Sequence, residues 1–292
     1  MRRNFARLIL GTSEEKPIDD PSVDVSEAGL RVRPEVGQAS GARVIWFHGG
    51  GYVFGAPETH VRPAQYLAAR HGFEVYLPRY RLAPEHVWPR PLEDALAATD
   101  RDDDLILAGD GSGGHLAMVT ALQLARAGRP PRALLLFSPN TDRSGFSLTR
   151  RRLSPMDPVV SDNEDKRLAR MVFTDMAADH PQVSPVLDDL SLLPPTLVEV
   201  GSPEVLLGDA TTLHQAGNAQ GALVRINITN GLLHMGQLWA PWWDEARMSL
   251  DRAAAFVRRL DAMVAQRQSL WYRTDRPRHQ PGLRLARPSA LE

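Results

Sequence analysis

A chain of 292 residues with 43% hydrophobic and 24% charged side chains has the composition of a soluble globular protein, large enough for one big domain or two ordinary ones. Its 34 basic and 35 acidic residues leave a formal charge of -1, so nucleic-acid binding has no electrostatic basis as a main role. Cysteine is absent, which excludes disulfides, zinc–thiolate sites, iron–sulfur clusters and cysteine nucleophiles.

The N-terminus, Met1-Arg2-Arg3-Asn4-Phe5, carries paired arginines like those of a twin-arginine export signal. The apolar stretch behind it, Ala6 to Leu10, is shorter than the roughly 7–15 residues of a signal's apolar region, and Glu14, Glu15 and Lys16 follow at once. No apolar run approaches about 20 residues, the length a membrane helix needs. A cytoplasmic protein without membrane attachment is expected.

Val23 to Val32 reads as two extended segments around Glu27-Ala28-Gly29, a hairpin at a sheet edge. Ala42 to Phe47 is a continuous apolar run suited to a strand buried on both faces. Helical spacing over Pro63 to Ala69 precedes a strand at Phe73 to Leu77, and a short helix at Leu92 to Ala98 precedes a strand at Leu105 to Ala108. Gly113 to Ala127 has helical composition, and Arg132 to Phe137 is again a buried strand. Thr196 to Val200 and Val224 to Ile228 repeat the theme, each followed by a helix. Strands alternating with helices predict an α/β protein with a mostly parallel central sheet flanked by helices.

Two regions break this rhythm. Residues 141–194 hold no buried-strand pattern and are rich in charge, proline and serine, so they read as an insertion over one end of the sheet. Asp165, Arg167 and Arg170 within it read as a solvated face. Residues 267–292 form a basic, proline-containing tail. The core is thus expected over 42–140 and 195–266, after an N-terminal segment at 1–41.

Three stretches fall where an α/β sheet places its ligands, at strand C-terminal ends. His48-Gly49-Gly50-Gly51-Tyr52 follows the first buried strand, and successive glycines let backbone N–H groups face a developing negative charge. Leu105 to Val119 reads as strand, glycine-rich turn and helix, the setting of a nucleophile elbow. A phosphate loop competes with this reading, but GxxxxGK[ST] is absent and the glycine spacing does not match GxGxxG. His234, in Gly231-Leu232-Leu233-His234, follows the last strand, with Glu204 placed before it to orient an imidazole and Asp209 as the alternative acid. Asp110, Gly113, His115 and Trp239 are candidate pocket residues beside His48, Gly51 and Tyr52. His60 and His86 read as local hydrogen-bonding groups. No histidine cluster has metal-ligand spacing, so neither a metal nor another cofactor is expected.

With these motifs and Tyr80-Arg81-Leu82-Ala83-Pro84-Glu85-His86, the stretch from about Ala42 to Gln266 resembles the hormone-sensitive-lipase-like family of esterases in the α/β-hydrolase fold. The resemblance implies oxyanion-hole N–H groups from Gly49 and Gly50, a third from Ser112, and His234 as general base. It also implies a lid at 141–194 and a small-molecule ester or carbonyl substrate. By analogy with related enzymes it suggests a homodimer.

The family's elbow reads Gly-Asp-Ser-Ala-Gly-Gly, whereas this chain reads Gly109-Asp110-Gly111-Ser112-Gly113-Gly114. Gly111 therefore fills the nucleophile's slot, and Ser112 falls one residue late. Arg79 also stands where the family has Asp, and Asp102, Asp103 and Asp104 close a short helix. Three readings remain open: a register change makes Ser112 the nucleophile; water or substrate chemistry proceeds without a protein nucleophile; or catalysis is lost, by divergence into a binder or by substitution of the serine. A non-hydrolytic proton-transfer or cyclase-type enzyme belongs with the second. Persistence of HGGG, Glu204 and His234 favours a working site with altered chemistry.

Overall fold

The computed structural model describes residues 20–100, 104–147, 149–240 and 242–274, with side chains described as far as residue 266. The paired arginines at the N-terminus, Asp102 and Asp103, and the tail beyond residue 274 lie outside them. The chain divides into two units, Met1–Ala254 and Ala255–Glu292. The final helix runs on to Thr274.

The first unit is built on eight strands: β1 (Val23–Ser26), β2 (Gly29–Val32), β3 (Arg43–Phe47), β4 (Glu74–Pro78), β5 (Ile106–Asp110), β6 (Ala133–Phe137), β7 (Thr196–Gly201) and β8 (Val224–Thr229). They form one sheet in the order β1-β2-β4-β3-β5-β6-β7-β8. The hairpin β1–β2 is antiparallel and joins β4 antiparallel, whereas β4, β3, β5, β6, β7 and β8 run parallel. Strands β5 and β6, at the centre, are buried along their whole length. That double-sided burial explains their unbroken apolar sequence.

Between the strands lie α1 (Val61–His71), α2 (Arg90–Thr99), α3 (Ser112–Arg126), α4 (Arg150–Leu153), α5 (Asp162–Val172) and α6 (Leu207–Ala219), with α7 (Asp244–Thr274) last. Helix α1 stops where Gly72 turns left-handed at φ 74°, donating its N–H back to Ala68 and Leu67. Helix α5 starts at a reciprocal cap between Ser161 and Glu164. No strand occurs among the described residues of 141–194, which carry α4, α5 and two short 3-10 turns instead. With most crossovers between parallel strands, the ends of β3, β5, β7 and β8 open on one edge of the sheet.

Candidate active site

The turn after β5 is the centre of the site. Gly111 leaves the strand at φ 53°, ψ -118°, a backbone conformation that side chains with a Cβ rarely adopt, and α3 begins at the next residue. Its N–H donates to Phe137 O at 3.0 Å, and its carbonyl accepts from His115 and Asn140 N–H groups at 3.1 and 3.0 Å. A sharp turn is thus fixed from three sides. A Cβ placed on Gly111 would lie 3.2 Å from Nε2 of His234 and 3.3 Å from its Cε1. The apex of the turn, not the residue after it, faces the imidazole.

His234 follows β8 and is buried, with Nδ1 3.2 Å from Oε2 of Glu204. Glu204 is fully buried, and its other oxygen accepts the Gly201 N–H at 2.5 Å. Glycine is needed at 201 because a Cβ there would strike the Leu232 carbonyl. Burial disfavours the imidazolium, but the hydrogen bond and charge of Glu204 outweigh it, with smaller help from Asp157 and Asp110. The His234 pKa is therefore raised above the ordinary imidazole value.

Ser112 is the first residue of α3. Its hydroxyl is buried without a hydrogen-bond partner, so it does not reach His234. Register change is corrected on this point: the bend is at Gly111, and Ser112 is already helical. The N–H groups of Gly49, Gly50 and Ser112 have no protein acceptor among the described residues. A cleft of about 300 Å³ lies between them and the 141–194 segment, lined by Gly50, Gly51, Gly111, Ser112 and His234 on one side. Phe54, Val159, Val160, Leu168, Val205 and Leu206 give it an apolar body.

A family model described as the alpha/beta hydrolase fold matches residues 44–238. The chain is 31% identical over 244 residues to a protein named esterase from Acinetobacter venetianus, covering 80% of each. It is also 33% identical over 238 residues to an acetyl-hydrolase of Streptomyces hygroscopicus, covering 78% of each. The chain belongs to the α/β-hydrolase family. Among solved structures, an esterase of the bacterial hormone-sensitive lipase family superposes on this α/β-hydrolase with a TM-score of 0.79 at 28% identity, covering 89% of this chain and 90% of that one.

Several expected pocket residues sit behind the cleft wall of this α/β-hydrolase rather than on it. Asp110 is buried and accepts from Trp46 Nε1 at 2.9 Å and pairs with His60 Nε2 at 2.8 Å. Burial alone would raise its pKa, but His60 and these hydrogen bonds hold it below the ordinary carboxylate value. His48 points Nδ1 at the Gly49 carbonyl, 2.8 Å away. Burial, reinforced by His60, pushes its pKa down to about 3, so it is neutral. Tyr52 and His115 hydrogen-bond each other at 2.6 Å inside an aromatic cluster with Trp88 and Phe173. A Cβ on Gly113 would strike the Phe47 carbonyl, so this glycine seats α3 on β3. Trp239 packs on Met235 and Leu238 and does not line the cleft.

Asp209 is corrected as the alternative acid. Its carboxylate accepts two N–H bonds from Arg150 and the backbone N–H groups of Thr141 and Asp142. Asp165, expected on a solvated face, is buried: it accepts from Arg150 Nη1 at 2.7 Å and Asn140 Nδ2 at 2.5 Å. Burial opposes its charge, but Arg143 and Arg150 prevail and hold its pKa at about 2. Asn140, Val159, Val160, Glu164 and Leu168 line the cleft without having been singled out in the sequence, and Asp165 and Arg167, read there as a solvated face, line it too. The i, i+3, i+4 placement of Asp165, Leu168 and Ala169 on α5 is the signal that could have found them.

Proposed function

We propose that the chain is a carboxylic-ester hydrolase in which a water molecule, activated by His234, takes the part of the missing serine. The supporting observation is the Cβ position of Gly111, 3.2 Å from His234 Nε2. Glycine there frees the volume of a hydroxymethyl group beside an imidazole that still has its carboxylate. A His–carboxylate pair buried at this point serves proton transfer, and the relatives named esterase and acetyl-hydrolase supply the reaction class.

In this reading the neutral His234 takes a proton from water as the oxygen attacks the ester carbonyl. Glu204 fixes the tautomer, holding the Nδ1 proton so that Nε2 is the base, and it stabilises the imidazolium that forms. The carbonyl oxygen becomes an oxyanion that accepts from Gly49, Gly50 and Ser112 N–H groups, at a helix N-terminus whose dipole favours negative charge. Collapse of the tetrahedral adduct breaks the bond to the alcohol oxygen, which takes the proton from His234. Acid and alcohol are released, and water has been consumed. The cleft, at the small end of ligand-site volumes, suits a small or medium acyl ester, with 141–194 as its lid.

Turnover of a short-chain p-nitrophenyl ester, with fluorophosphonate labelling and peptide mapping, tests the reading. Ester turnover that disappears in His234→Ala, with Ser112 unlabelled and no burst of the nitrophenolate product, is expected. An adduct on Ser112 would overturn the water route, and turnover indifferent to His234 would overturn the site. Absence of turnover, with substrate bound, would place the chain among non-hydrolytic members of the family.

A further inference from the structure

A second cavity of about 510 Å³ lies within the 141–194 segment, all of its lining coming from residues between Asp142 and Val183. Asp165 is the one residue that lines both this cavity and the catalytic cleft, so the buried carboxylate and its partner Arg150 form the wall between them. Nothing in the hydrolytic mechanism uses this space.

Its polar lining is unbalanced. Arg143, Arg150, Arg151, Lys166 and Arg170 face three carboxylates, those of Asp142, Asp162 and Asp165. Each carboxylate has a partner, although Asp162 Oδ1 accepts no hydrogen bond and lies 3.9 Å from Arg150 Nη1. Asp142 accepts Ser144 and Ser147 N–H groups, Asp162 pairs with Lys166, and Asp165 is taken by Arg150 and Asn140. On the donor side, Arg143 is only partly engaged: Nη1 donates to the Val183 carbonyl at 3.2 Å and Nη2 lies 3.6 Å from Oδ1 of Asp165. The arginine side chain is only 5% exposed and leans on the Phe173 ring at 5.3 Å, yet Nε has no hydrogen-bond partner. A buried guanidinium donor left unpaired is costly unless an acceptor from outside completes it. At the rim, Arg151 and Arg170 are exposed and carry no ion pair among the described residues. The remaining wall is apolar: Ala169, Phe173, Met176, Ala178 and Val183.

We infer that this cavity is a second ligand site, which takes a small amphipathic anion: a carboxylate carrying a short apolar chain. The carboxylate meets Arg143 and the rim arginines, and the chain lies along Phe173, Met176 and Val183. Guanidinium suits this task because its fork of donors matches a carboxylate. The inference stands on the cavity's own donors and does not depend on the hydrolysis chemistry.

Titration calorimetry with hexanoate, and with hexanamide as its uncharged counterpart, tests it in the full chain. Two variants separate the cavities. Val160→Trp fills the catalytic cleft, whereas Arg151→Gln/Arg170→Gln changes only exposed rim residues of the second cavity and leaves the core untouched. Saturable hexanoate binding that persists in Val160→Trp and weakens about tenfold or more in the rim double variant is expected, since charge-assisted hydrogen bonds are lost. Hexanamide is expected to bind more weakly than hexanoate to the wild-type chain. Arg143→Gln, checked for folding by its melting curve, should deepen the loss. Any other pattern overturns the site: no saturable binding, hexanamide binding as well as hexanoate, binding abolished by Val160→Trp, or indifference to the rim arginines.

Discussion

One wall of the cleft, made by Gly50, Gly51, Gly111 and Ser112, is held by backbone hydrogen bonds and by sheet register, as where Gly111 bonds to Phe137 and Asn140. The opposite wall, from Val159 to Leu168, hangs from side-chain contacts that reach across the chain: the Arg150–Asp209 ion pair spans 59 residues and the hydrogen bond from the Thr141 N–H to Asp209 spans 68. The first wall has its sharp turn with glycine at 111, because a backbone turn fixed from three sides needs no side chain at its apex. The second would not survive loss of its charges so easily. A buried arginine shared by two carboxylates is stable only as a set. Chemistry and architecture are therefore carried by different residues in the two walls.

The sharpest challenge to that division is Gly111→Ser. If the elbow is intact apart from its hydroxyl, the variant gains fluorophosphonate labelling at residue 111. Ester turnover should then rise by on the order of 10³-fold or more, since removing a serine nucleophile from a complete triad costs at least that much. A side chain at φ 53° is strained, so the gain in activity should come with a loss of about 1–3 kcal/mol in stability. No gain would mean that the pocket around the turn has drifted as well.

Glu204→Gln comes next. It removes the charge and the hydrogen bond that offset burial at His234, so turnover should fall by about 10²–10⁴-fold. The sign of the pH effect also follows. In the proposed mechanism His234 works as the neutral base, so activity rises with pH through its pKa, which lies above the ordinary imidazole value. Without Glu204, burial prevails and the acid limb of kcat/KM moves to lower pH. A limb that stays in place would separate Glu204 from His234.

Arg150→Met attacks the other wall. It leaves Asp209 buried without its cation and Asp165 with Arg143 alone, and urea unfolding should show a loss of about 3–5 kcal/mol. If the walls divide as described, Asp209→Asn also destabilises but does not move the acid limb, unlike Glu204→Gln. A shifted limb in Asp209→Asn would merge the two roles.

The same division decides what could be read from the sequence. Gly111 and Glu204 come just after β5 and β7, strands buried along their whole length that announce themselves in sequence, whereas His234 comes after the half-exposed edge strand β8. The elbow's anomaly was legible as a one-residue shift in a glycine pattern. Which side chains line the cleft was not, because motif neighbours point in different directions. His48, Asp110 and His115 adjoin the site in sequence, yet their side chains turn into the core behind it. On α5, Asp165 sits in a charged stretch that reads as solvent-facing. Its burial depends on Arg150 and Asn140, which no local pattern connects to it. Long-range ion pairs leave no periodicity.

The two walls meet at Asp157, where the smallest effect is expected. One of its oxygens accepts the N–H of Val205, the residue after Glu204, at 2.9 Å. The other accepts Val159 and Val160 N–H groups, so the carboxylate ties the lid-side wall to the acid's loop. Its charge also helps hold the His234 pKa up, after the larger contributions of Glu204. Asp157→Asn keeps an oxygen for one of these bonds and removes the charge. The acid limb of kcat/KM should then move to lower pH by less than in Glu204→Gln, while the plateau at higher pH stays within a few-fold of the parent. If the plateau collapses instead, Asp157 acts by positioning the loop that carries Glu204. The backbone wall would then depend on the ion-paired one for its geometry as well as for its field.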